Sequence, residues 1–75
     1  MEVIVGKRYR HYKGKTYTVV ALALHSDTLE KMVVYQGEYD DAELGSRPIF
    51  VRPYDVFLEQ VNHEGAQVSR FTPLE

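Results

Sequence analysis

The three residue types of a nucleophilic catalytic triad stand side by side at His25, Ser26 and Asp27. A triad needs its members to converge from separate segments, whereas neighbours on a strand point to opposite faces. The sequence also shows no glycine elbow and no loop of oxyanion donors. The pattern therefore favours a turn, in which Ser26 and Asp27 bond backbone amides and His25 ends the preceding strand. An enzyme with a site around His25 is the third-ranked hypothesis.

A run of aromatic and basic residues lies at Tyr9-Arg10-His11-Tyr12. On a strand, alternation places Tyr9 and His11 on one face and Arg10 and Tyr12 on the other. Interleaved aromatic and cationic groups can stack bases and hold phosphates, or grip a proline-rich or extended peptide. The alternative is structural: one face enters the core and the other pairs with acidic side chains.

Two arginines in the second half of the chain, Arg52 and Arg70, precede Pro53 and Phe71. Arginine stems that lie against aromatic rings serve as structural props. The planar guanidinium fork also allows two arginines to frame one pocket for an anion or a carboxylate. The prop is the favoured interpretation of both residues.

The remaining constellations indicate no chemistry. The three histidines, His11, His25 and His63, include no pair at metal-ligand spacing. Asp40 and Asp41 are adjacent in one predicted loop and do not face each other across a cleft, so glycoside-type chemistry has no support. The sequence therefore predicts no catalytic residue, no metal and no cofactor, and an enzyme is the least favoured class.

Length and composition describe one small domain over residues 1–75. The chain has no cysteine, so neither disulfides nor thiolate metal sites stabilise it. A net charge of −2 argues against an obligate nucleic-acid binder. The charge is uneven, since residues 7–15 are basic without an acid and residues 38–43 are acidic without a base. This distribution predicts a dipolar molecule.

No apolar run approaches the ~20 residues of a membrane-spanning helix. The opening Met-Glu-Val-Ile-Val lacks the basic region and the long apolar stretch of a secretory signal. We therefore expect a cytoplasmic protein with no membrane partner.

The elements that must position these residues are short β-rich segments separated by turn residues. Val3 to Tyr12 is a predicted strand that ends at the tight turn Lys13-Gly14. Lys15 to His25 is the strongest predicted strand, because its second half is apolar on both faces. Leu29 to Tyr35 follows a turn at Ser26-Asp27-Thr28 and is its antiparallel partner.

Shorter elements are predicted for the second half of the chain. Gln36 to Pro48 is a long irregular loop, and Ile49 to Arg52 is a short strand. Tyr54 to Glu59 forms one helical turn of the 3₁₀ type. Gln60 to Phe71 forms a final hairpin, and the tail from Thr72 to Glu75 is frayed.

Together these elements predict an all-β fold, namely a small SH3-like five-stranded half-open barrel with one 3₁₀ turn. An open five-stranded sheet is the alternative. Its second face would leave Val20, Leu22 and Leu24 in need of cover, and a homodimer would then be expected. The sequence leaves both a monomer and a homodimer open.

Several segments carry a resemblance to a known family: Tyr9-Arg10-His11-Tyr12-Lys13-Gly14, Tyr17, Val19, Ala23, His25-Ser26, Glu30, Val33-Val34-Tyr35, Val51-Arg52-Pro53, Phe57 and Arg70-Phe71. They resemble the small bacterial family catalogued as domain of unknown function 1653, from about Gly6 to Phe71. Phe50 stands where a tryptophan is expected, and the loop from Tyr39 to Pro48 is longer than usual. The resemblance implies a stand-alone bacterial cytoplasmic protein with an SH3-like barrel, and it implies no activity.

The sequence as a whole predicts a non-enzymatic module that binds a protein or peptide. RNA or single-stranded nucleic acid is the alternative ligand, which the basic residues 7–15 permit and the net charge disfavours. The predicted binding site is one surface that joins six residues: Tyr9, Arg10, Tyr12, His25, Tyr35 and Arg52.

Overall fold

Threonine, valine and tyrosine, which favour strands, fill the two longest elements of the chain. The computed structural model describes residues 2–74, and their elements are almost all strands. In chain order they are β1 (Arg8–His11), β2 (Thr16–Leu24), β3 (Lys31–Gly37), β4 (Asp40–Asp41), β5 (Gly45–Ser46), β6 (Ile49–Pro53), α1 (Tyr54–Phe57), β7 (Gln60–His63), β8 (Ala66–Ser69) and β9 (Phe71–Pro73). The predicted all-β class is confirmed.

Five strands form one antiparallel sheet in the order β6-β3-β2-β1-β9. β4 with β5, and β7 with β8, form separate two-stranded hairpins. The edge strands β6 and β9 do not pair with each other, so the main sheet does not close within residues 2–74. Val20, Leu22 and Leu24 are exposed, with 40%, 44% and 63% of their surface accessible, so the second half of β2 is not covered on both faces.

The predicted central hairpin is confirmed. β2 pairs antiparallel with β3, with Val19 opposite Tyr35 and Leu24 opposite Lys31. The register shifts by one residue between Val19 and Ala21, so β2 carries a bulge. Such a bulge bends the strand and increases its local twist.

The core lies on one face of the main sheet, which we call the inner face, beneath α1. Its members are large apolar and aromatic side chains: Val3, Tyr9, Val19, Val33, Tyr35, Phe57 and Phe71. Phe57 is fully buried, and its ring stacks on Phe71 with centroids 4.0 Å apart. Tyr9 contacts Phe57 edge to face at 5.4 Å. The one-turn helix thus stabilises the sheet by burying Phe57 in the core, with Tyr54 packed against it.

Two predictions for the first half of the chain are wrong. The first strand begins at Arg8 rather than at Val3, because the amide of Lys7 donates to Ile4 O and closes a turn in which Gly6 has φ +90°. The predicted loop after Tyr35 is also more regular than expected. β3 continues to Gly37, and β4 and β5 form a small hairpin within the loop.

Two predictions near the chain's end are wrong as well. The helical turn is α rather than 3₁₀, since the Leu58 amide donates to Tyr54 O, four residues back. The tail is paired rather than frayed, because Thr72 lies opposite Arg10 in the β9–β1 pair. Glu75, also predicted as part of the tail, lies outside the described residues. Within residues 2–74 no helix is both long and apolar enough to cross a membrane.

Candidate functional site

The six residues of the predicted binding surface do not lie on one surface. Tyr9 and Tyr35 belong to the core, where 1% and 4% of their surface is accessible. Arg10 is exposed and pairs with Thr16 on the face opposite the core, which we call the outer face. His25 is exposed beyond the far end of β2, up to roughly 30 Å from Thr16 at about 3.3 Å per residue.

Tyr9 is a structural residue. Its hydroxyl accepts a hydrogen bond from the Ile4 amide at 3.2 Å, and its ring packs against Phe57. The strand β1 therefore inserts Tyr9 into the core and directs Arg10 away from it. The predicted alternation holds for Tyr9 and Arg10, and Tyr9 cannot take part in a binding surface because its ring lies in the core. Tyr12, which follows β1, is half-buried, and its ring contacts those of His11 and His63.

His25 organises a turn. Its Nδ1 accepts hydrogen bonds from the amides of Asp27 (3.2 Å) and Thr28 (3.4 Å). The turn is thus capped by the imidazole rather than by Ser26 and Asp27 as predicted. Among residues 2–74 no hydrogen bond joins Ser26 to His25, so these neighbours form no nucleophile–base pair.

Strand alternation gathers a different set of side chains on the inner face. In β3, Val33 and Tyr35 are buried there, and residues opposite them on β6 share their face. Arg52 lies opposite Val33, and Phe50 lies opposite Tyr35. We call the resulting group the Arg52 cluster: Arg52, Tyr35, Phe50, Tyr17, Tyr39 and His11.

Tyr17 is the centre of the Arg52 cluster. Its ring meets those of Tyr35 at 5.3 Å, Tyr39 at 5.6 Å and Phe50 at 5.9 Å, each close to edge to face. The ring of His11 lies 6.4 Å away. Tyr17, Tyr39, Phe50 and His11 are all half-buried, so the cluster forms an aromatic surface that reaches solvent above the core.

Tyr39 joins the cluster because Gly37 makes room for it. A Cβ on Gly37 would lie 2.6 Å from Cε1 of the Tyr39 ring. With that space free, Tyr39 folds back over β3 and places its hydroxyl 3.1 Å from the hydroxyl of Tyr17. Lys15 caps the outside of the ring, with Nζ 4.1 Å from the centroid.

Arg52 is a half-buried cation without an acid beside it. No carboxylate lies within 4.0 Å of its guanidinium in residues 2–74, and its buried Nη1 has no hydrogen-bond partner among them. The guanidinium lies 5.8 Å from the Phe71 ring centroid. Burial raises the pKa of Tyr35, and the charge of Arg52 opposes that rise. Burial and then Arg52 lower the pKa of His11, which favours a neutral imidazole.

Arg70 is a structural tie that acts through hydrogen bonds. Its Nε donates to Val56 O at 3.1 Å, and its Nη2 donates to Glu59 Oε1 at 3.0 Å. These bonds attach the end of the β7–β8 hairpin to the segment containing α1. Because the charge of Arg70 is already paired with Glu59, Arg70 and Arg52 do not act as two equal partners in one pocket. Residues 2–74 contain no group of three or more His, Asp or Glu side chains able to hold a metal ion.

The family model described as "protein of unknown function (DUF1653)" matches residues 7–73. The chain belongs to the DUF1653 family. A crystal structure of a DUF1653 protein from Bordetella bronchiseptica is 35% identical, with a TM-score of 0.78, over 92% of this chain and 83% of that chain. No curated protein gives a significant match.

Four members of the Arg52 cluster of this DUF1653 chain were not predicted as site residues from the sequence: Tyr17, Tyr39, Phe50 and His11. The positions of Tyr17 and Phe50 do carry a signal for the inner face. Tyr17 is two residues from the core residue Val19 on β2, and Phe50 lies opposite the core residue Tyr35 on the neighbouring strand. Tyr39 has no such signal, because its position depends on the backbone turn after Gly37.

The outer face of the DUF1653 chain brings the basic and the acidic runs together. Arg8 donates two hydrogen bonds to the Glu38 carboxylate, at 2.9 Å from Nε and 2.8 Å from Nη2. Thr18 and Thr16 add hydroxyl donors at 2.8 and 3.2 Å. These contacts, above all the bonds from Arg8, lower the pKa of Glu38 to about 2. The predicted dipole is thus partly cancelled where the two runs meet.

We expect Glu38→Gln to reduce the free energy of unfolding at neutral pH by about 1 kcal/mol. The Arg8 side chain is 54% exposed, so solvent screening limits how much the Arg8–Glu38 pair stabilises the fold. Because the pKa of Glu38 falls from 4.5 to about 2 on folding, its stabilisation is complete above pH 4.5 and is lost as the pH drops toward 2. Urea unfolding between neutral and acidic pH should show the wild-type and variant curves converging in this window. Glu43→Gln is the control. A stability difference between wild type and Glu38→Gln that persists at low pH would contradict the assignment of this stabilisation to the ionised Glu38.

Proposed function

We propose that this DUF1653 chain is a non-enzymatic module that binds an extended protein segment on the Arg52 cluster. The observation that carries the proposal is the set of half-buried aromatic rings around Tyr17, together with an arginine whose Nη1 has no hydrogen-bond partner in residues 2–74. Tyrosine and arginine are enriched at interaction hot spots, since they combine a large contact area with directed hydrogen bonds.

An SH3-like barrel is the fold type that we propose for this module. Its support is the order of the strands: β9, at the end of the chain, returns beside β1, and the helical turn α1 precedes it. SH3-like domains bind proline-rich or extended segments in aromatic-lined grooves. The inner-face cluster offers a surface of that chemical type.

Single-stranded nucleic acid is the second candidate ligand. In its favour, Lys13 and Lys15 lie beside the rings of Tyr12 and Tyr39. Against it, Arg8 is paired with Glu38 and Arg10 projects from the outer face, away from the rings on which bases would stack. The net charge of −2 also opposes a polyanion. These observations favour a protein segment.

The proposal is tested by selecting peptides from a random library displayed on phage against the folded chain. We expect enriched peptides that bind with micromolar Kd, about 1–100 μM. Phe50→Ala should weaken this binding at least about tenfold, because it removes a ring of the cluster. Val51→Ala is the matched control, since Val51 is the next residue of β6 and faces outward with 59% of its surface accessible. It should leave the affinity unchanged.

Two results would count against the proposal. One is a library that yields no peptide sensitive to Phe50→Ala. The other is tighter binding of a single-stranded RNA oligonucleotide, with an affinity that falls steeply between roughly 50 and 200 mM salt. The second result would establish the nucleic-acid alternative, because phosphate contacts release counterions and peptide contacts with an aromatic surface do not.

A further inference from the structure

We infer that Arg52 is a carboxylate-binding residue, so that the segment bound by the cluster presents a carboxylate to its guanidinium. This inference rests on the proposed function and names the chemical group that the site selects. The arginines of the chain differ in their partners and in their exposure. Arg8 and Arg70 each have a glutamate partner, at 2.8 and 3.0 Å, whereas Arg10 and Arg47 are exposed.

Arg52 differs from both groups because it is half-buried and has no acid within 4.0 Å in residues 2–74. A charge taken out of water without a partner destabilises a protein unless an opposite charge compensates it. Its Nη1 is a buried donor without an acceptor among the described residues. Buried donors are almost always satisfied, so the described residues leave the guanidinium short of hydrogen-bond acceptors.

The surroundings of Arg52 favour an anion over a neutral acceptor. The charges of Arg52, Arg70 and Lys13 all act on His11, so three cations lie near it. Arg70 is paired with Glu59, whereas Arg52 and Lys13 have no carboxylate within 4.0 Å in residues 2–74. An otherwise acidic chain thus carries a locally positive surface at this position.

The aromatic surroundings of the site and the net charge of the chain favour a carboxylate over a phosphate. The guanidinium is a planar fork that donates two parallel hydrogen bonds to either group. Aromatic rings flank it, with Phe71 5.8 Å from the guanidinium carbon and Tyr35 stacked on Phe50 at 5.6 Å. A flat group attached to an apolar body fits between rings. The overall negative charge disfavours a polyphosphate backbone.

The test uses benzoate, a planar carboxylate on an apolar ring, with benzamide as its neutral isostere. We expect benzoate to shift the resonances of the Arg52 side chain, Tyr17 and His11 saturably, with a Kd of about 1–10 mM. Benzamide should bind at least about tenfold more weakly. Arg52→Met should abolish the benzoate response, and Arg10→Met, which removes an exposed arginine from the outer face, should leave it intact. Equal binding of the two probes, or an unchanged response in Arg52→Met, would overturn the inference.

Arg52→Lys covers the case in which Arg52→Met does not fold. It keeps the positive charge but lacks the planar fork, and benzoate affinity should fall at least about threefold. Unchanged affinity would count against bidentate recognition. Two peptide pairs then identify the source of the carboxylate: acetyl-Phe-Asp-Phe-amide against its asparagine analogue, and acetyl-Phe-Phe with a free carboxyl against its amide. Discrimination within either pair supports the inference, and equal binding within both contradicts it.

Failure of the inference is distinguishable from failure of the proposed function. If library peptides lose affinity with Phe50→Ala but not with Arg52→Met, the proposed peptide binding stands and the inferred carboxylate recognition is overturned. Benzoate binding that depends on Arg52, without any peptide binding, would retain the carboxylate site and overturn the peptide-binding module.

Discussion

Phe57→Ala is expected to lower the free energy of unfolding by about 3–5 kcal/mol, a large share of the stability of a 75-residue domain. Phe57 is fully buried and contacts three other aromatic residues: Tyr9 at 5.4 Å, Tyr35 at 5.5 Å and Phe71 at 4.0 Å. Its removal leaves a cavity that the rigid sheet beneath it cannot fill.

Urea unfolding followed by tyrosine fluorescence measures this loss, with Val51→Ala as the control for truncation of an exposed apolar side chain. The control should change stability by no more than about 0.5 kcal/mol. A loss below about 1 kcal/mol for Phe57→Ala would show that α1 is an appendage of the sheet rather than its cover.

Gly37→Ala should lower the free energy of unfolding by about 1–3 kcal/mol. The added Cβ meets the Tyr39 ring at 2.6 Å, so the ring must leave its place over β3. Its departure breaks the contact between the Tyr39 and Tyr17 hydroxyls and the cation–π contact with Lys15. One methyl group is therefore expected to open the Arg52 cluster on one side.

A double-mutant cycle tests the cause of this loss. In a Tyr39→Ala background the clash is absent, and Gly37→Ala should then change stability by less than about 0.5 kcal/mol. An equal loss of stability in both backgrounds would show that Gly37→Ala acts through the backbone of β3 rather than through the Tyr39 ring.

The sequence was sufficient for the parts of the fold that depend on local pattern. The apolar run of β2, the turn at Asp27 and the β-rich run of β3 predicted the central hairpin, because strand length and turn chemistry are local properties. Phe57 was identifiable as a core residue for the same reason: it lies in a short apolar turn between two strands. Family membership was likewise evident from segments such as Val51-Arg52-Pro53.

The rest depended on contacts between distant residues. Arg8 and Glu38 are 30 positions apart, and no local pattern shows that a basic and an acidic run meet across the sheet. The roles of Arg52 and Arg70 look alike in sequence, yet Glu59 lies within reach of Arg70 alone. The predicted site grouped residues because their side chains are chemically similar. In the structure, strand alternation decides which face each side chain occupies, and it buries Tyr9 in the core.

The pairing of β9 with β1 also has a consequence for the order in which the protein forms. Thr72 lies opposite Arg10, so this contact joins residues more than sixty positions apart. Such non-local pairing slows folding, because the chain must close a long loop before the contact stabilises it. During synthesis, β1, β2 and β3 leave the ribosome well before β9. One edge of β1 therefore stays unpaired, and open to other chains, until β9 has also left the ribosome.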